Sequence, residues 1–215
     1  FLEGRDEAAL EEMEGEMPPG VREIMNPFGE ITRVYQPECL RPVTNVTALT
    51  HRRQAIMQDM FMGEPDSWNL SGIPKEAGTY NAIQTKFGGA KAVHMPHSGV
   101  GHTVVYISIH KGYEGQAKMV ATEAITLTHF AQWVVVVDED VDVYNERDVI
   151  WAITTRTNPK RDITFIDNIQ TSFITAMGQG RMIIDATRPL DVAFPAPMKI
   201  PDAAMARIKV EEWLD

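Results

Sequence analysis

The segment that most constrains the fold is residues 134–162, with the sequence VVVVDEDVDVYNERDVIWAITTRTNPKRD. Its four leading valines do not alternate with polar residues, which predicts a strand buried on both faces, as in a parallel sheet covered by helices. Asn145 is a suitable N-cap for the apolar-periodic run that follows, and Arg156 in the last turn complements the helix dipole. Pro159 stops this run. The segment therefore predicts a buried strand, an acidic turn and a capped helix.

Periodicity elsewhere predicts a β-rich first part and an alternating α/β second part. The first part has a strand over 31–36 and two strands within 43–62, joined by a polar turn at 51–54. From residue 91 the predicted order is β, β, α, β, α, β, β, α, which is typical of a three-layer α/β/α domain with a largely parallel sheet. The segments concerned are strands over 91–98, 103–110, 134–137, 163–169 and 181–187, helices over 116–131, 146–158 and 202–215, and, before them, a weak helix over 75–87.

A change of composition at residues 63–67, GEPDS, indicates a linker between the two parts. The predicted units are residues 1–63, 64–190 and a tail over 191–215 whose helix begins at an Asp202 cap. The chain opens with Phe1, and we expect it to be a piece of a longer polypeptide or to have a processed start.

Composition excludes several classes of function. The net charge is −10, from 20 basic and 30 acidic residues, which disfavours nucleic acid and anionic membranes as partners. A single cysteine, Cys39, allows no disulfide framework and is expected to be a small buried hydrophobe. No apolar run has the ~18 residues of a membrane span and no signal peptide is visible, so we expect a cytoplasmic protein.

The acids of residues 138–142, DEDVD, invite comparison with a calcium loop. Such a loop needs glycine at its sixth position and glutamate at its twelfth, where this chain has Val143 and Val149. We therefore interpret these acids as groups exposed where the chain leaves the core, with a structural or partner-facing salt bridge as the alternative.

Other polar motifs are weaker. His94 and His97 would need a third ligand to hold a metal, and Pro96 prevents a helix that would align them. The segment 51–54, HRRQ, fits either an anion contact or a polar hairpin tip, and we favour the tip. The glycines at 88–89 and 178–180 do not precede convincing helices and are not phosphate loops.

Glu30 is the acid with the most interesting setting. It ends the segment NPFGE, in which Asn26-Pro27 starts a turn and Gly29 permits unusual backbone angles. Loops that enter a strand in this way often present catalytic groups. A carboxylic acid at such a place can donate or accept a proton.

Two segments resemble the UbiD-like decarboxylases. Residues 26–30, a following strand and the segment THRRQAIMQDMFMG at 50–63 resemble that family's EGPFGE motif, strand and T-x-R segment closing at a glycine. Residues 134–162 resemble its C-terminal signature, an aliphatic strand followed by D-D-x-D-V, D-V-[IL]-W-A, T-R, P and D. The similarity covers about residues 14–190 and corresponds to the C-terminal part of the family's longer chain.

The resemblance implies a fold, an activity and cofactors. The fold would be the end of a split β-barrel of the flavin-reductase type (1–63), followed by an α/β oligomerisation domain (64–190). The activity would be reversible non-oxidative decarboxylation of an aromatic, heteroaromatic or α,β-unsaturated carboxylic acid. It would use prenylated FMN with Mn²⁺ or Mg²⁺ and K⁺. A homodimer or higher homo-oligomer and a flavin prenyltransferase that supplies the cofactor are the implied partners.

The resemblance also implies roles for particular residues. Glu30 matches the second glutamate of EGPFGE and would act in the proton relay, and Asn69 and Ile73 align near a substrate-lining loop. The motif's first glutamate falls on Met25, with Glu23 two residues out of register. The family's arginine, metal-binding glutamate and most cofactor contacts are expected upstream of this chain, so no metal ligand is predicted within it. The alternative function is therefore an oligomerisation module that is catalytically inactive when isolated.

Overall fold

The computed structural model describes residues 11–51, 53–54, 59–169, 180–195, 198, 200–207 and 209. The first part consists of three antiparallel two-stranded ribbons nested in sequence, because β1 pairs with β6, β2 with β5 and β3 with β4. These strands are β1 (Glu11–Glu16), β2 (Arg22–Met25), β3 (Phe28–Gly29), β4 (Tyr35–Gln36), β5 (Cys39–Pro42) and β6 (Asn45–His51). Several apolar side chains of these ribbons are exposed, among them Met13, Ile24, Leu40 and Leu49.

Three predictions for this part need correction. The strand expected over 31–36 forms only at Tyr35–Gln36, because residues 30–34 make a tight turn in which Arg33 N–H donates to Glu30 O (2.9 Å). The strand expected after the polar turn at 51–54 is not formed at residues 59–62, while residues 55–58 lie outside the described part. Cys39 is half-buried in β5 rather than a core residue.

The second part is a five-stranded sheet with helices on both faces. The strand order is β10-β11-β9-β8-β7. Its elements are α1 (Pro65–Lys86), β7 (Ala90–His94), a 3₁₀ turn (His97–Gly99), β8 (Val104–Ile109), α2 (Gln116–Leu127), β9 (Trp133–Asp138), α3 (Glu146–Arg156), α4 (Pro159–Asp162), β10 (Ile163–Asp167) and β11 (Gly180–Ala186).

The sheet is mixed, and the prediction of a largely parallel sheet is wrong. Its three central strands, β8, β9 and β11, run parallel, but the edge strands β7 and β10 run antiparallel to their neighbours. A short connection containing only the 3₁₀ turn joins β7 to β8, and parallel neighbours would need a long crossover. The prediction for the central strand is confirmed, since Val134 to Val137 are almost fully buried between two parallel partners.

The core lies on both faces of this sheet. On one face α1 and α2 cover side chains that include Ile107, Val134 and Val136. On the other face α3 covers Val135 and Val137. The three-layer arrangement is therefore present, and the valine run is buried on both sides because it faces a helical layer in each direction.

Helix α1 begins at Pro65, so the predicted linker at 63–67 is helical from its third residue and the predicted start at 75 is wrong. Proline suits the first helical position because its missing N–H would have no partner there. Ser67 reinforces the start, since its hydroxyl donates to Glu64 O (2.8 Å) and accepts from Gly63 N–H (3.2 Å). Helix α2 stops at Leu127, earlier than the predicted 131.

The helix α3 follows the prediction closely. Asn145 caps it by accepting from Arg147 N–H (3.2 Å), and it ends at Arg156. The tail helix is shorter than predicted: α5 spans only Asp202–Met205, and Pro201, not Asp202, occupies the cap position. Residues 208 and 210–215 of the predicted helix lie outside the described part. None of the described helices combines the length and apolar character that crossing a membrane requires.

Candidate functional site

Glu30 lies in the turn between β3 and β4. Its N–H donates to Val34 O (3.0 Å), and its carbonyl accepts from Arg33 N–H (2.9 Å), which closes the turn at both ends. Arg33 adopts a left-handed backbone conformation with φ of 62°. Such a conformation is uncommon for a residue with a side chain, so the contacts around the turn have to hold it.

The Glu30 residue is buried, with 8% of its surface exposed. The Gln36 side-chain amide can be oriented so that both its nitrogen and its oxygen have a hydrogen-bond partner. In that orientation Gln36 Nε2 donates to Glu30 Oε1 at 2.7 Å. The amide oxygen of Gln36 then accepts from the Arg41 guanidinium. A buried carboxylate needs such donors, because its charge is otherwise poorly solvated. Gln36 was not identified from the sequence, since only the β3–β4 ribbon brings it next to Glu30.

A cavity of about 530 Å³ opens beside Glu30. Its volume is within the range of small-molecule sites, and its wall is largely aromatic and aliphatic with a few charged groups. The lining residues are Phe28, Gly29, Glu30, Arg33, Val34, Tyr35, Phe61, Met62, Gly63 and Glu64.

The start of α1 closes one side of this site. Trp68, buried in α1, donates its indole N–H to Ile31 O (2.8 Å) in the Glu30 turn. Arg33 lies over the Trp68 ring at 5.9 Å and pairs with Glu64 at 3.4 Å. Gly63 has φ of +84°, a backbone conformation that favours glycine. A Cβ atom at this position would lie 3.1 Å from Glu30 O, so the two backbone segments can pack this closely because residue 63 has no side chain. The α/β part thus fixes the turn that carries the carboxylate.

Asn69 and Ile73 lie one turn apart on the exposed side of α1. The Asn69 Oδ1 atom is hydrogen-bonded to His97 Nε2 (2.8 Å), and 60% of the Ile73 surface is exposed. Neither residue lines the cavity beside Glu30. The structure therefore brings these two residues together with each other but not with Glu30.

The acidic segment after β9 forms a salt-bridge network. Arg156 Nη1 donates to Asp138 Oδ2 (2.8 Å) and Asp140 Oδ1 (3.0 Å), and its Nη2 donates to Asp140 Oδ2 (2.9 Å). Arg188 N–H also donates to Asp138 Oδ2 (2.8 Å). Asp142 accepts from Tyr144 N–H (2.9 Å) within the following turn. The salt-bridge alternative from the sequence is therefore correct for Asp138 and Asp140.

The histidine motifs do not form a metal site. His94 Nδ1 contacts Glu76 Oε1 (3.0 Å), while His97 contacts Asn69 instead. Across the described ranges, no cluster of three or more potential metal ligands occurs. His51 ends β6 and Arg53 follows it in an exposed turn, but residues 59–62 form no strand that would make this turn the tip of a hairpin.

A second cavity, of about 330 Å³, lies where the parallel strands β8 and β9 end. Its charged groups already have partners: Lys111 Nζ contacts Glu114 (2.8 Å) and Arg188 O (3.0 Å), and His110 contacts Glu139 (2.7 Å). The Lys111 and His110 side chains of this cavity are therefore already engaged within the chain.

Comparison with known protein families identifies the class to which these two parts belong. Residues 12–65 match the model of the 3-octaprenyl-4-hydroxybenzoate carboxy-lyase Rift-related domain. Residues 69–186 match the C-terminal domain of the same carboxy-lyase family, which is more than half of the chain. The chain belongs to the UbiD family.

Solved structures of UbiD-class enzymes are similar to the chain throughout. HmfF from Pelotomaculum thermopropionicum, in complex with FMN, is 32% identical with a TM-score of 0.85, over 94% of this chain and 46% of that chain. Vanillic acid decarboxylase from Sedimentibacter hydroxybenzoicus, in closed form, is 29% identical with a TM-score of 0.75, over 94% and 44%. The apo 3,4-dihydroxybenzoic acid decarboxylase of Klebsiella pneumoniae is 25% identical with a TM-score of 0.73, over 90% and 46%. The chain spans less than half of each relative.

Proposed function

We propose that the chain is the C-terminal part of a reversible, non-oxidative carboxy-lyase that acts on an aromatic, heteroaromatic or α,β-unsaturated carboxylic acid. The observation that carries this proposal is that the buried residue Glu30 lines a largely aromatic and aliphatic cavity of about 530 Å³. It lies within the segment that matches the UbiD family. Relatives with 25–32% identity are decarboxylases of aromatic acids or a UbiD-class enzyme bound to FMN.

Glu30 is the proposed proton-transfer group. Loss of carbon dioxide leaves an electron pair on carbon, and a positioned acid must supply a proton there. The turn between β3 and β4, the Gln36 amide and the Trp68 hydrogen bond hold Glu30 in place. In the reverse direction the same carboxylate would take the proton from the carbon that accepts carbon dioxide.

The aromatic residues that line the cavity fit one part of the cofactor, the flavin ring. Phe28, Tyr35 and Phe61 offer flat apolar surface suited to a flavin ring or an aromatic substrate. Prenylated FMN, when bound, supplies the electron sink for decarboxylation. The described residues hold no cluster able to ligate Mn²⁺ or Mg²⁺. As the resemblance to the UbiD family implies, we propose that the ligands of the metal and of K⁺, and most contacts to the cofactor, lie largely outside this chain.

The remaining assignments follow from the same proposal. Residues 1–63 would be the end of a split β-barrel, 64–190 the α/β oligomerisation domain and 191–215 its tail. Asn69 and Ile73, which lie on the exposed side of α1, would contact the substrate in the assembled protein. A flavin prenyltransferase would supply the cofactor, and both proteins would act in the cytoplasm.

The second candidate function is an oligomerisation module without activity. Large apolar side chains on the surface of the α/β part favour it, including Ile150 on α3 and Phe165 on β10, which are 52% and 71% exposed. Light scattering coupled to size exclusion tests it. We expect a dimer or higher homo-oligomer for residues 1–215, and a monomer at micromolar concentration would contradict this candidate.

The decarboxylase proposal is tested with the intact protein that carries this chain, purified from a host that makes prenylated FMN. We expect carbon dioxide release from at least one member of a panel of aromatic and heteroaromatic acids. Glu30→Gln should lower the turnover about 10²- to 10⁴-fold, the usual contribution of general acid–base catalysis, while flavin absorbance is retained. The matched control is Glu64→Gln at the exposed rim of the same cavity.

Two results would reject the proposal. If the cofactor-loaded protein releases no carbon dioxide from any acid of the panel, the proposed decarboxylase activity is rejected. If the Glu30→Gln and Glu64→Gln variants have equal turnover, the proton-transfer role of Glu30 is rejected, but the decarboxylase activity is not.

A further inference from the structure

Arg33 lines the cavity beside Glu30 and has an unusual backbone conformation there. Its φ of 62° lies in the left-handed region, which disfavours a residue with a side chain and suits glycine. Glycine could make the same backbone contact, since only the N–H of Arg33 donates to Glu30 O (2.9 Å). Gly63, with φ of +84°, is an example in the same cavity wall. The side chain of Arg33 therefore has a use that the turn itself does not explain.

The contacts of the Arg33 side chain within the chain are weak. Arg33 Nη2 lies 3.4 Å from Glu64 Oε1, which is long for a charge-assisted hydrogen bond, usually about 2.7–2.9 Å. The two side chains are 62% and 44% exposed, and ion pairs this exposed contribute little to stability. Among the described residues, this single long contact engages one end of a planar fork of donors. Most of the fork is therefore available to an anion.

The charges around the cavity make this guanidinium the group that an anionic substrate would meet. Within the described part of the chain, Arg33 is the one cation that lines the cavity, whereas Glu30 and Glu64 are acids. The whole chain has a net charge of −10. A carboxylate that enters the cavity is repelled by these acids and needs a nearby cation to offset the repulsion.

The surroundings of the Arg33 side chain hold it at the cavity. A Cβ atom at Gly63 would lie 3.2 Å from both Cα and Cγ of Arg33, so the missing side chain leaves room for the arginine stem. The guanidinium lies 5.9 Å from the centre of the Trp68 ring. Trp68 is fixed by its hydrogen bond to Ile31 O (2.8 Å) and by the His97 ring, with centroids 5.5 Å apart. A side chain held in this way loses less freedom when a ligand binds.

We propose that Arg33 is a substrate-binding residue whose guanidinium fork holds the carboxylate of the aromatic acid. The planar fork matches the two oxygens of a carboxylate, so the contact fixes orientation as well as charge. This assignment rests on the proposed decarboxylase function and names the residue that recognises the acid group. The contact is made before the carbon–carbon bond breaks, and the carbon dioxide that leaves is neutral. Arg33 therefore contributes to substrate binding and not to the transition state.

The kinetic test compares Arg33→Gln with Arg147→Gln in the intact, cofactor-loaded protein. Arg147 is exposed on α3 and does not line the cavity, so its replacement changes only the net charge. With the acid of the panel that is turned over fastest, we expect Arg33→Gln to raise KM about tenfold without lowering kcat, and Arg147→Gln to behave as wild type. Arg33→Lys keeps the charge but loses the fork and should give an intermediate KM. An unchanged KM for Arg33→Gln, or a loss of kcat in place of the change in KM, would overturn the proposal.

A binding measurement with benzoate distinguishes failure of this proposal from failure of the proposed function. The dissociation constants of benzoate and of the neutral benzamide are measured by NMR titration with the same cofactor-loaded proteins. We expect wild type to bind benzoate about tenfold more tightly than benzamide, and Arg33→Gln to bind the two equally. If this preference is found but no acid of the panel is decarboxylated, the proposed function fails and the carboxylate contact stands. Equal binding of the two compounds by wild type, or an undiminished preference in Arg33→Gln, would overturn the contact.

Arg33→Gly provides the measurement if Arg33→Gln does not fold. Glycine relieves the strain of the left-handed conformation, so the urea midpoint should be at or above that of wild type while KM still rises about tenfold. A wild-type KM in Arg33→Gly would overturn the proposal. Flavin absorbance per protein should be the same in wild type and all Arg33 variants. Its loss in these variants would place the guanidinium at the cofactor phosphate and overturn the contact with the substrate.

Discussion

Replacing Arg156 by methionine tests whether the acids after β9 serve the fold. The Arg156 side chain is 1% exposed and that of Asp138 is 8% exposed, so the pair is removed from water. Methionine retains much of the apolar stem that packs in α3 and removes only the guanidinium. The substitution therefore leaves Asp138 buried without its closest cation.

The expected cost follows from this geometry. Removing one partner of a buried ion pair costs about 3–5 kcal/mol. Asp138 still accepts from Arg188 N–H (2.8 Å) and Arg188 Nε (3.3 Å), which places the expected loss at the lower end, about 3 kcal/mol. With a urea dependence of roughly 2 kcal/mol per molar, this corresponds to a midpoint shift of about 1.5 M.

The assay is urea unfolding followed by circular dichroism. The matched control is Arg33→Met, which breaks an exposed pair with Glu64 at 3.4 Å and should cost less than about 1 kcal/mol. Combining Arg156→Met with Asp138→Asn should recover part of the loss, because no charge then remains buried alone. A loss below 1 kcal/mol for Arg156→Met, equal to that of the control, would refute the reasoning.

The remaining predictions concern pH and the contact between α1 and the Glu30 turn. Burial raises the pKa of Asp140, but the hydrogen bonds and charge of Arg156, with Arg188, outweigh it and hold the pKa below its ordinary value. A carboxyl group whose pKa is lower in the folded state stabilises the fold at pH values above its unfolded pKa, near 3.9, and this contribution disappears as the pH falls through its folded pKa. The urea midpoints of Asp140→Asn and wild type should therefore converge as the pH falls from the unfolded to the folded pKa of Asp140. A difference between the two midpoints that stays constant with pH would contradict this prediction. Trp68→Phe should lower the free energy of unfolding by about 1 kcal/mol, because it removes the hydrogen bond to Ile31 O. The control Trp133→Phe, at an exposed position, should leave the free energy of unfolding nearly unchanged in the same assay. Gly101→Ala should lower the urea midpoint more than Trp68→Phe, because φ is +65° and the new Cβ would lie 2.6 Å from Trp68 Cβ; an unchanged midpoint would show that the backbone relaxes there.

The sequence predicts the central α/β unit well because several local signals agree there. The unalternating valines, the Asn145 cap and the stop before Pro159 each specify the same strand and helix, and all are present. The directions of β7 and β10 could not be obtained in this way. Strand periodicity gives the face of each side chain but not the direction of the neighbouring strand, which depends on the connection between them.

The candidate site is predictable in part. Glu30 is conspicuous because a proline- and glycine-shaped turn precedes it. Gln36, Trp68 and the cavity could not be found from the sequence, since the β3–β4 ribbon and α1 bring them together only in the folded chain. The sequence does not indicate the first turns of α1, because they contain glycine and proline and have low helix propensity. Tertiary packing of Trp68 and Ile83 overrides that preference.

The most direct test of the central claim isolates the proton transfer at Glu30. The intact, cofactor-loaded protein is incubated in D₂O with the decarboxylated product of its substrate, and deuterium uptake at the former carboxyl-bearing carbon is followed by NMR, without added carbon dioxide. We predict uptake by wild type and by Glu64→Gln, and a rate about 100-fold lower for Glu30→Gln. Uptake by Glu30→Gln at the wild-type rate would contradict the assignment of Glu30 as the proton-transfer group.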